Sequence, residues 1–421
     1  MKYTNKLPLF LCLGMSCIIL WGFSACDFQP TKELLYGRPI GGSLAGGSTN
    51  GTEFIEDGGS SGGLSKNLLH SGDLTLPPLS KHEIRTGLED TSQSKLPNKV
   101  MKKPPTYVAN EGWDPGEVEP AALNLAVNRI NFLRRVSGLY PMTALDDYHK
   151  SAQYGAALGA YTQIFGHGDQ DTDAEKIDGL DPDIVQKGTE ATEGGNVVNY
   201  GPQDLIHAID SYFCEPGVPQ VGHRLLLLDP TWEKVGIGTA PAPDTDGKGF
   251  NVTQVYNLPS LPADHKSKQF DWNFVSYPAS GYFPLHGRLF GSPASWSIKL
   301  NTNHYAKIGD KANEVPAKDV AVSLIRTSDG ATWKFFIDDD TEILNIKNTR
   351  IYNCDPGHFI LGGDTIIFRI LKENPEHPGD PNKRIDHPYK DGEIYQVQVH
   401  GLKDKSGNPV DFAFETKFFT P

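Results

Sequence analysis

Gly222-His223-Arg224-Leu225-Leu226-Leu227-Leu228-Asp229-Pro230, followed after Thr231-Trp232-Glu233-Lys234 by Val235-Gly236-Ile237-Gly238-Thr239, is the most informative stretch of the chain. A histidine and an arginine lead into an aliphatic stretch closed by proline. Beyond it an apolar run alternates Val and Ile with glycine. Val235 to Thr239 reads as a short strand, and Val252 to Tyr256 as another.

Upstream the texture is helical. Glu119-Pro120 opens a first helix with proline in its first turn, and Leu123, Val127, Ile130 and Leu133-Arg134 follow at helical spacing until Ser137-Gly138 ends it. A second helix is expected from about Leu145 to Gln163, with Ala152, Ala156, Leu158 and Tyr161 facing a core. Residues 168 to 200 are acidic and Gly-rich and read as a long loop. Gly201-Pro202 starts a third amphipathic helix through Leu205, Ile206, Ile209, Tyr212 and Phe213, stopped by Pro216-Gly217. Helices and strands mixed within about 150 residues indicate an α/β sandwich.

After Leu258-Pro259 the helical texture disappears. Trp296 to Leu300, Val320 to Arg326, Trp333 to Ile337, Thr365 to Leu371, Ile394 to Val399 and Phe412 to Phe418 read as strands separated by Gly, Pro and Asp turns. Strands at that spacing predict an all-β antiparallel sandwich. Asp338-Asp339-Asp340 and Asp386 to Asp391 lack the spacing of a calcium loop and read as solvated turns.

The N-terminus carries a targeting signal. Lys2 and Lys6 precede a nearly unbroken apolar run from Leu7 to Phe23, and Ser24-Ala25-Cys26 follows. That is the layout of a secretory signal, too short and too interrupted by Pro8 and Gly14 for a stable membrane span. Phe23-Ser24-Ala25-Cys26 resembles a bacterial lipobox, although its first position is usually leucine. The resemblance implies cleavage before Cys26, acylation of its sulfur, and a mature protein that faces away from the cytoplasm and meets the lipid bilayer through Cys26. Gly41-Gly42-Ser43, Gly46-Gly47-Ser48 and Gly58 to Gly63 have linker composition, so residues 26–106 are expected to be a lipidated cysteine and a disordered tether. As a random coil such a tether reaches roughly 50 Å. Cys12 and Cys17 leave with the signal, and Cys214 and Cys354 remain as two buried thiols or one bridge.

The chain has 421 residues, 38% hydrophobic and 22% charged, enough for two to three folded units. Its formal net charge of -13 argues against nucleic acid as a partner, because phosphate binding needs clustered Lys and Arg. The organisation expected is a signal peptide over 1–25, the tether over 26–106, an α/β domain over 107–258 and a β-sandwich over 259–421.

The middle region resembles the CAP superfamily in its short, SCP-like bacterial form. Gly138-Leu139-Tyr140-Pro141-Met142-Thr143-Ala144-Leu145-Asp146 is similar to the family's turn between its first two helices. Phe165-Gly166-His167 stands where the family has its first cavity histidine, Gly194-Gly195-Asn196 where it has Gly-Glu-Asn, and Gly222-His223-Arg224 with the following strand where it has its second histidine. Thr253-Gln254-Val255-Tyr256 resembles its last strand. The resemblance implies an α-β-α sandwich. It also implies a cleft of two histidines and two glutamates that binds a divalent metal in several members. His167 and His223 carry over. Gly195 replaces the first glutamate, Glu193 or Glu190 could reach the cleft instead, and the second glutamate has no evident counterpart. Two imidazoles alone make a weak, open site for an ion such as zinc.

Plainer roles exist for each residue. His167 ends a helix, where an imidazole suits the dipole. His223 could be satisfied by backbone groups, while Gly222, Arg224 and Asn196 are expected to be structural, with Arg224 bonded to carbonyls or a carboxylate and Asn196 holding a turn. The C-terminal region also resembles a bacterial Ig-like domain, through Tyr277-Pro278-Ala279-Ser280-Gly281 and Tyr395 to Pro409. Neither Gly-x-Ser-x-Gly nor His-Glu-x-x-His occurs. The expectation is therefore a non-catalytic protein that binds an unknown ligand or protein partner at the envelope. A metal-assisted hydrolase and an envelope-structural protein are the alternatives.

Overall fold

A computed structural model of the chain describes residues 68–107, 113–162, 180–193, 195–215, 218–243, 251–256, 271–290, 294–346, 349–354, 356–372, 375–376 and 385–421. Cys26 and the tether residues 26–67 lie outside them. Residues 68–106, expected to continue the tether, are folded instead. Helix α1 spans Lys81–Asp90 and is started by a capping box: the Ser80 hydroxyl accepts the Glu83 N–H, and the Glu83 carboxylate accepts the Ser80 N–H. Ile84 buries its side chain from this helix, and Val100 and Met101 are buried beyond it. Strand β1 (Met101–Lys103) pairs antiparallel with β2 (Glu117–Val118).

Helix α2, Pro120–Val136, has proline in its first turn and ends at Ser137, where Gly138 takes φ +76°. Then follow β3 (Thr143–Ala144), α3 (Asp146–Thr162), α4 (Pro182–Glu193), β4 (Gly195–Asn199), α5 (Leu205–Cys214), α6 (Gly222–Leu227), β5 (Lys234–Pro241) and β6 (Asn251–Tyr256). The loop expected over 168–200 is thus corrected from residue 182 onward. Asp181 accepts the Asp183 N–H on its side chain at 2.9 Å and the Ile184 and Val185 N–H groups on its carbonyl. Pro182 occupies the first turn. These start signals outweigh the acidic, Gly-rich composition.

The four strands order β3-β5-β6-β4, with β3 parallel to β5 and the other pairs antiparallel. Strand β5 explains the layers. Val235 and Ile237 join the core formed by α2 and α5. Gly236 and Gly238 face α3, and a Cβ on them would come within 2.2 Å of Tyr148 and 2.3 Å of Ala152 backbone carbons. Glycine is what lets the helix backbone lie on the strand. The resulting arrangement is an α-β-α sandwich.

Helix α3 also satisfies strand backbone beyond the short β3. Gln153 accepts the Thr239 N–H at 3.1 Å and donates to its carbonyl at 3.0 Å, and His149 Nδ1 accepts the Ile237 N–H at 2.9 Å. Burial holds the His149 pKa below the usual imidazole range, opposed by the Ile237 carbonyl and Asp146. Burial likewise lowers His286 and His387. A depressed histidine favours the folded state in its neutral form. That stability is present above the ordinary value of about 6.5 and is lost as pH falls through the lower folded value. The melting temperature is expected to drop between about pH 7 and about pH 5, and His149→Gln should remove part of that slope. Equal slopes in the variant and the parent would exclude His149 as a source.

Among the described residues the C-terminal region is mostly β: β7 (Phe274–Tyr277), β8 (Gly281–Pro284), β9 (Trp296–Leu300), β10 (Ala321–Arg326), β11 (Thr332–Phe335), β12 (Glu342–Ile346), β13 (Thr349–Cys354), β14 (Gly357–Gly362), β15 (Thr365–Lys372), β16 (Ile385–Asp386), β17 (Ile394–Lys403) and β18 (Pro409–Phe419). One sheet orders β11-β10-β17-β18-β8 and the other β12-β13-β14-β15-β9-β7, with β16 on β15. All pairs are antiparallel except β8 with β18, consistent with a β-sandwich. Trp296, Phe359, Phe368, Tyr395, Phe414 and Phe418 are core residues. Cys214 and Cys354 are buried thiols and do not form a disulfide with each other, and burial pushes the Cys354 thiol up to about 11. Among the described residues no helix is long and apolar enough to cross a membrane.

The two folded regions share one continuous apolar core. The segment before α1 is stitched to both. The Ser71 hydroxyl donates to the Ser137 carbonyl at 3.1 Å and accepts the Ser276 N–H at 2.9 Å. Gly72 N–H donates to Phe274, and Asp73 N–H to Gly138. Lys299 on β9 bridges Asp229 at 3.2 Å, just beyond α6, and Asp364 at 3.1 Å.

Candidate functional site

The site is built where α5 ends and α6 begins. Glu215 caps α5 in the left-handed region, with φ 45° and ψ 57°, and Val221 precedes α6 with φ 46° and ψ 41°. Neither is glycine, and such conformations cost about 1–3 kcal/mol each. Glu215 and Val221 are thus each held against their local preference.

The Glu215 side chain is only 1% exposed, so its charge must be met internally. Oε1 accepts the His223 N–H at 3.1 Å and His223 Nδ1 at 2.8 Å, and Oε2 accepts the Arg224 N–H at 3.0 Å. An ionised carboxylate only accepts, so Nδ1 carries the proton. The neutral ring then keeps its lone pair on Nε2. This is the orientation that carboxylates impose on imidazoles that ligate metals or take protons. The Tyr212 ring lies 5.2 Å from the imidazole, and its hydroxyl donates to the Asn196 carbonyl at 3.1 Å. Asn196, on β4, donates through Nδ2 to the His223 carbonyl at 3.2 Å.

Most of the residues singled out in the sequence can therefore be placed. His223, Arg224, Gly222 and Asn196 come together. Glu193 is exposed at the end of α4, in a groove it shares with Glu190, Val185 and Gln186. His167 lies outside the described residues, so its distance from His223 is not part of the geometry. Gly222 opens α6, but a Cβ there would meet nothing within 4 Å. The left-handed residue is Val221 instead. Arg224 is fully buried, as expected, and bonds to carbonyls: Phe213, Cys214 at 2.9 Å and Ser295 at 2.6 Å. Its pKa is lowered by burial and raised in turn by Glu215.

The residue that sequence reasoning missed is Glu215. It follows the core aromatics Tyr212 and Phe213 and precedes Pro216, so it reads as a helix stop. Only the turn that brings α6 back across α5 puts its carboxylate on His223. It supplies a carboxylate that Gly195 cannot. Among the described residues no group of three His, Cys, Asp or Glu could hold a metal ion.

Residues 127–256 match the family model described as CAP, the cysteine-rich secretory protein family. No curated protein matches the chain. The matched span runs from within α2 to the last residue of β6, and it contains the sheet, the glycine-faced strand β5 and the Glu215–His223 pair. Sequence match and α-β-α architecture agree: this chain carries a CAP domain over residues 127–256.

Proposed function

We propose that the chain is an exported lipoprotein, anchored through an acylated Cys26, whose CAP domain binds a ligand or partner protein at the cell envelope or surface without catalysing a reaction. The observation that carries the binding role is the 2.8 Å contact of His223 Nδ1 with the buried Glu215 carboxylate, which fixes the imidazole. In this reading a divalent cation such as zinc is held by His223 together with His167, the pair named by the family resemblance. The cation would supply a positive anchor for an anionic or carbonyl-bearing ligand. Calorimetry with zinc on the full chain should show binding that fades as pH falls through about 6.5, because protonated imidazole cannot ligate. His223→Ala and His167→Ala should each abolish it. Binding unchanged in either variant would exclude the shared site.

The anchor rests on the basic start, the apolar run and the lipobox-like Phe23-Ser24-Ala25-Cys26. Cys26→Ser should move the protein from the membrane fraction to the soluble one. Retention equal to the parent would rule out this anchor. One observation favours a second reading, metal-assisted hydrolysis: a carboxylate-oriented imidazole also suits a general base. Zinc-dependent ester or amide hydrolysis lost in Glu215→Gln would favour that reading over binding alone.

A further inference from the structure

The geometry points to the C-terminal β-sandwich as a working part of the CAP site: it holds Glu215 and residues 221–224 in place through Arg224 and Val221, and so sets the orientation of His223. This rests on the proposed role of His223 only for its biological meaning; the coupling itself is a property of the fold.

Two anchors carry it. Arg224 is 0% exposed. Its guanidinium donates to the carbonyls of Phe213 and Cys214, the last turn of α5 directly before Glu215. It also donates to Ser295 O at 2.6 Å and Ser297 Oγ at 3.3 Å, and its central carbon lies 4.5 Å from the centre of the Tyr277 ring. Those three residues belong to β7, β9 and the turn before β9, beyond the span that matches the CAP family. The same residue's N–H holds Glu215 Oε2, whose other oxygen holds His223 Nδ1. A buried arginine with only neutral acceptors on its fork depends on each of them. Loss of the sandwich-side acceptors leaves the guanidinium to re-seat and carries the Glu215 carboxylate with it.

The second anchor is apolar. Val221, 0% exposed, packs with Ile351, Ile360 and Ile367 from β13, β14 and β15. A β-branched residue in the left-handed region persists only where surroundings over-determine it. Here the surroundings are one face of the second sheet. Both strained residues therefore bear on the sandwich: Val221 directly, and Glu215 through Arg224.

Arg224 is a positioning residue, and the readout must be the imidazole itself. The ¹⁵N shifts of His223 in the full, histidine-labelled chain report its tautomer and its titration without any metal. Tyr277→Leu removes the ring beneath the guanidinium. The ratio of Nδ1–H to Nε2–H tautomer should fall by about tenfold, the loss expected when a charge-assisted hydrogen bond is released. Ser297→Ala, a milder change on the same path, should lower the ratio in the same direction. It decides the matter if the leucine variant does not fold. Lys299→Gln loosens the junction at the Asp229 and Asp364 contacts instead and should leave His223 unchanged. An unaltered tautomer and titration in folded Tyr277→Leu, or in Ser297→Ala should the leucine variant not fold, would overturn the coupling. So would an equal response in Lys299→Gln. Failure of zinc binding with an altered tautomer would count against the proposed cation and leave the coupling standing.

Discussion

Arg129→Met is expected to destabilise the fold by about 3–5 kcal/mol, the cost of leaving one partner of a buried ion pair alone. Arg129 on α2 holds Asp210 on α5 in a two-point contact, Nε to Oδ1 at 2.7 Å and Nη2 to Oδ2 at 3.0 Å, and the side chains are 4% and 3% exposed. The third arm of the guanidinium reaches Thr91 at 3.1 Å, just after α1, so three helical segments converge on one arginine. A cavity of about 410 Å³ lined by Arg129, Asp210, His207 and His286 opens beside the pair. Water entering it should bring the loss toward the lower figure. Even with Arg129 present, burial outweighs the attraction and raises the Asp210 pKa. A raised carboxyl favours folding only when protonated. Its contribution is complete below the ordinary value of about 3.9 and is lost as pH rises through the folded value. The penalty of Arg129→Met should therefore shrink as the pH of a urea titration is lowered. A constant penalty across pH would place its origin in lost packing instead. The double variant Arg129→Met, Asp210→Leu should recover most of the loss, because no unpaired charge remains.

Gly238→Ala is expected to cost about 3 kcal/mol, the upper end for overpacking a core. The added carbon would sit 2.3 Å from the Ala152 carbonyl carbon and 2.4 Å from both the Ala152 oxygen and the Gln153 nitrogen. All three are helix backbone, which cannot rotate aside. Helix α3 must shift off β5, and that shift also strains the paired Gln153–Thr239 bonds. Gly222→Ala is the informative contrast. It lies in the quoted Gly-His-Arg motif, yet its Cβ meets open space, so the change should stay within about 0.5 kcal/mol. Urea midpoints of the two variants measure the difference. A loss below that of Gly222→Ala would show that α3 does not rest on β5 as described.

Much of the CAP half was legible in the chain, for physical reasons. Proline at the start of α2, Gly138 at its end, and the alternation of glycine with Val and Ile along β5 each allow few alternatives, and the helices and strand appear close to where they were expected. Composition misled where a local signal competed with it. Residues 168–200 are acidic and Gly-rich, but Asp181-Pro182-Asp183 starts α4. The tether expected up to 106 is folded from 68 because Ser80 and Glu83 cap α1 and because Ser71 and Gly72 bond to both domains. Strands β12, β13 and β14 were missed: their apolar runs are broken by Asn345, Asn353, Pro356 and Gly357, and β12 is an edge strand whose Ile343 remains exposed. The sandwich partners of Arg224 could not be read at all, because Ser295 and Ser297 lie more than 70 residues from it and carry no spacing rule. Glu215 was hidden for the same reason on a smaller scale, since a turn and not a periodicity delivers it to His223.

In the proposed reading Glu215 presents Nε2 of His223 to a cation bound at the CAP domain. Crystals of the full chain grown with zinc, with diffraction recorded on both sides of the zinc absorption edge, test it most directly. An anomalous peak is expected at Nε2 of His223, shared with His167 and absent in His223→Ala. An occupied zinc elsewhere on the chain with no peak at His223, or a His223 ring turned so that Nε2 faces Glu215, would contradict it.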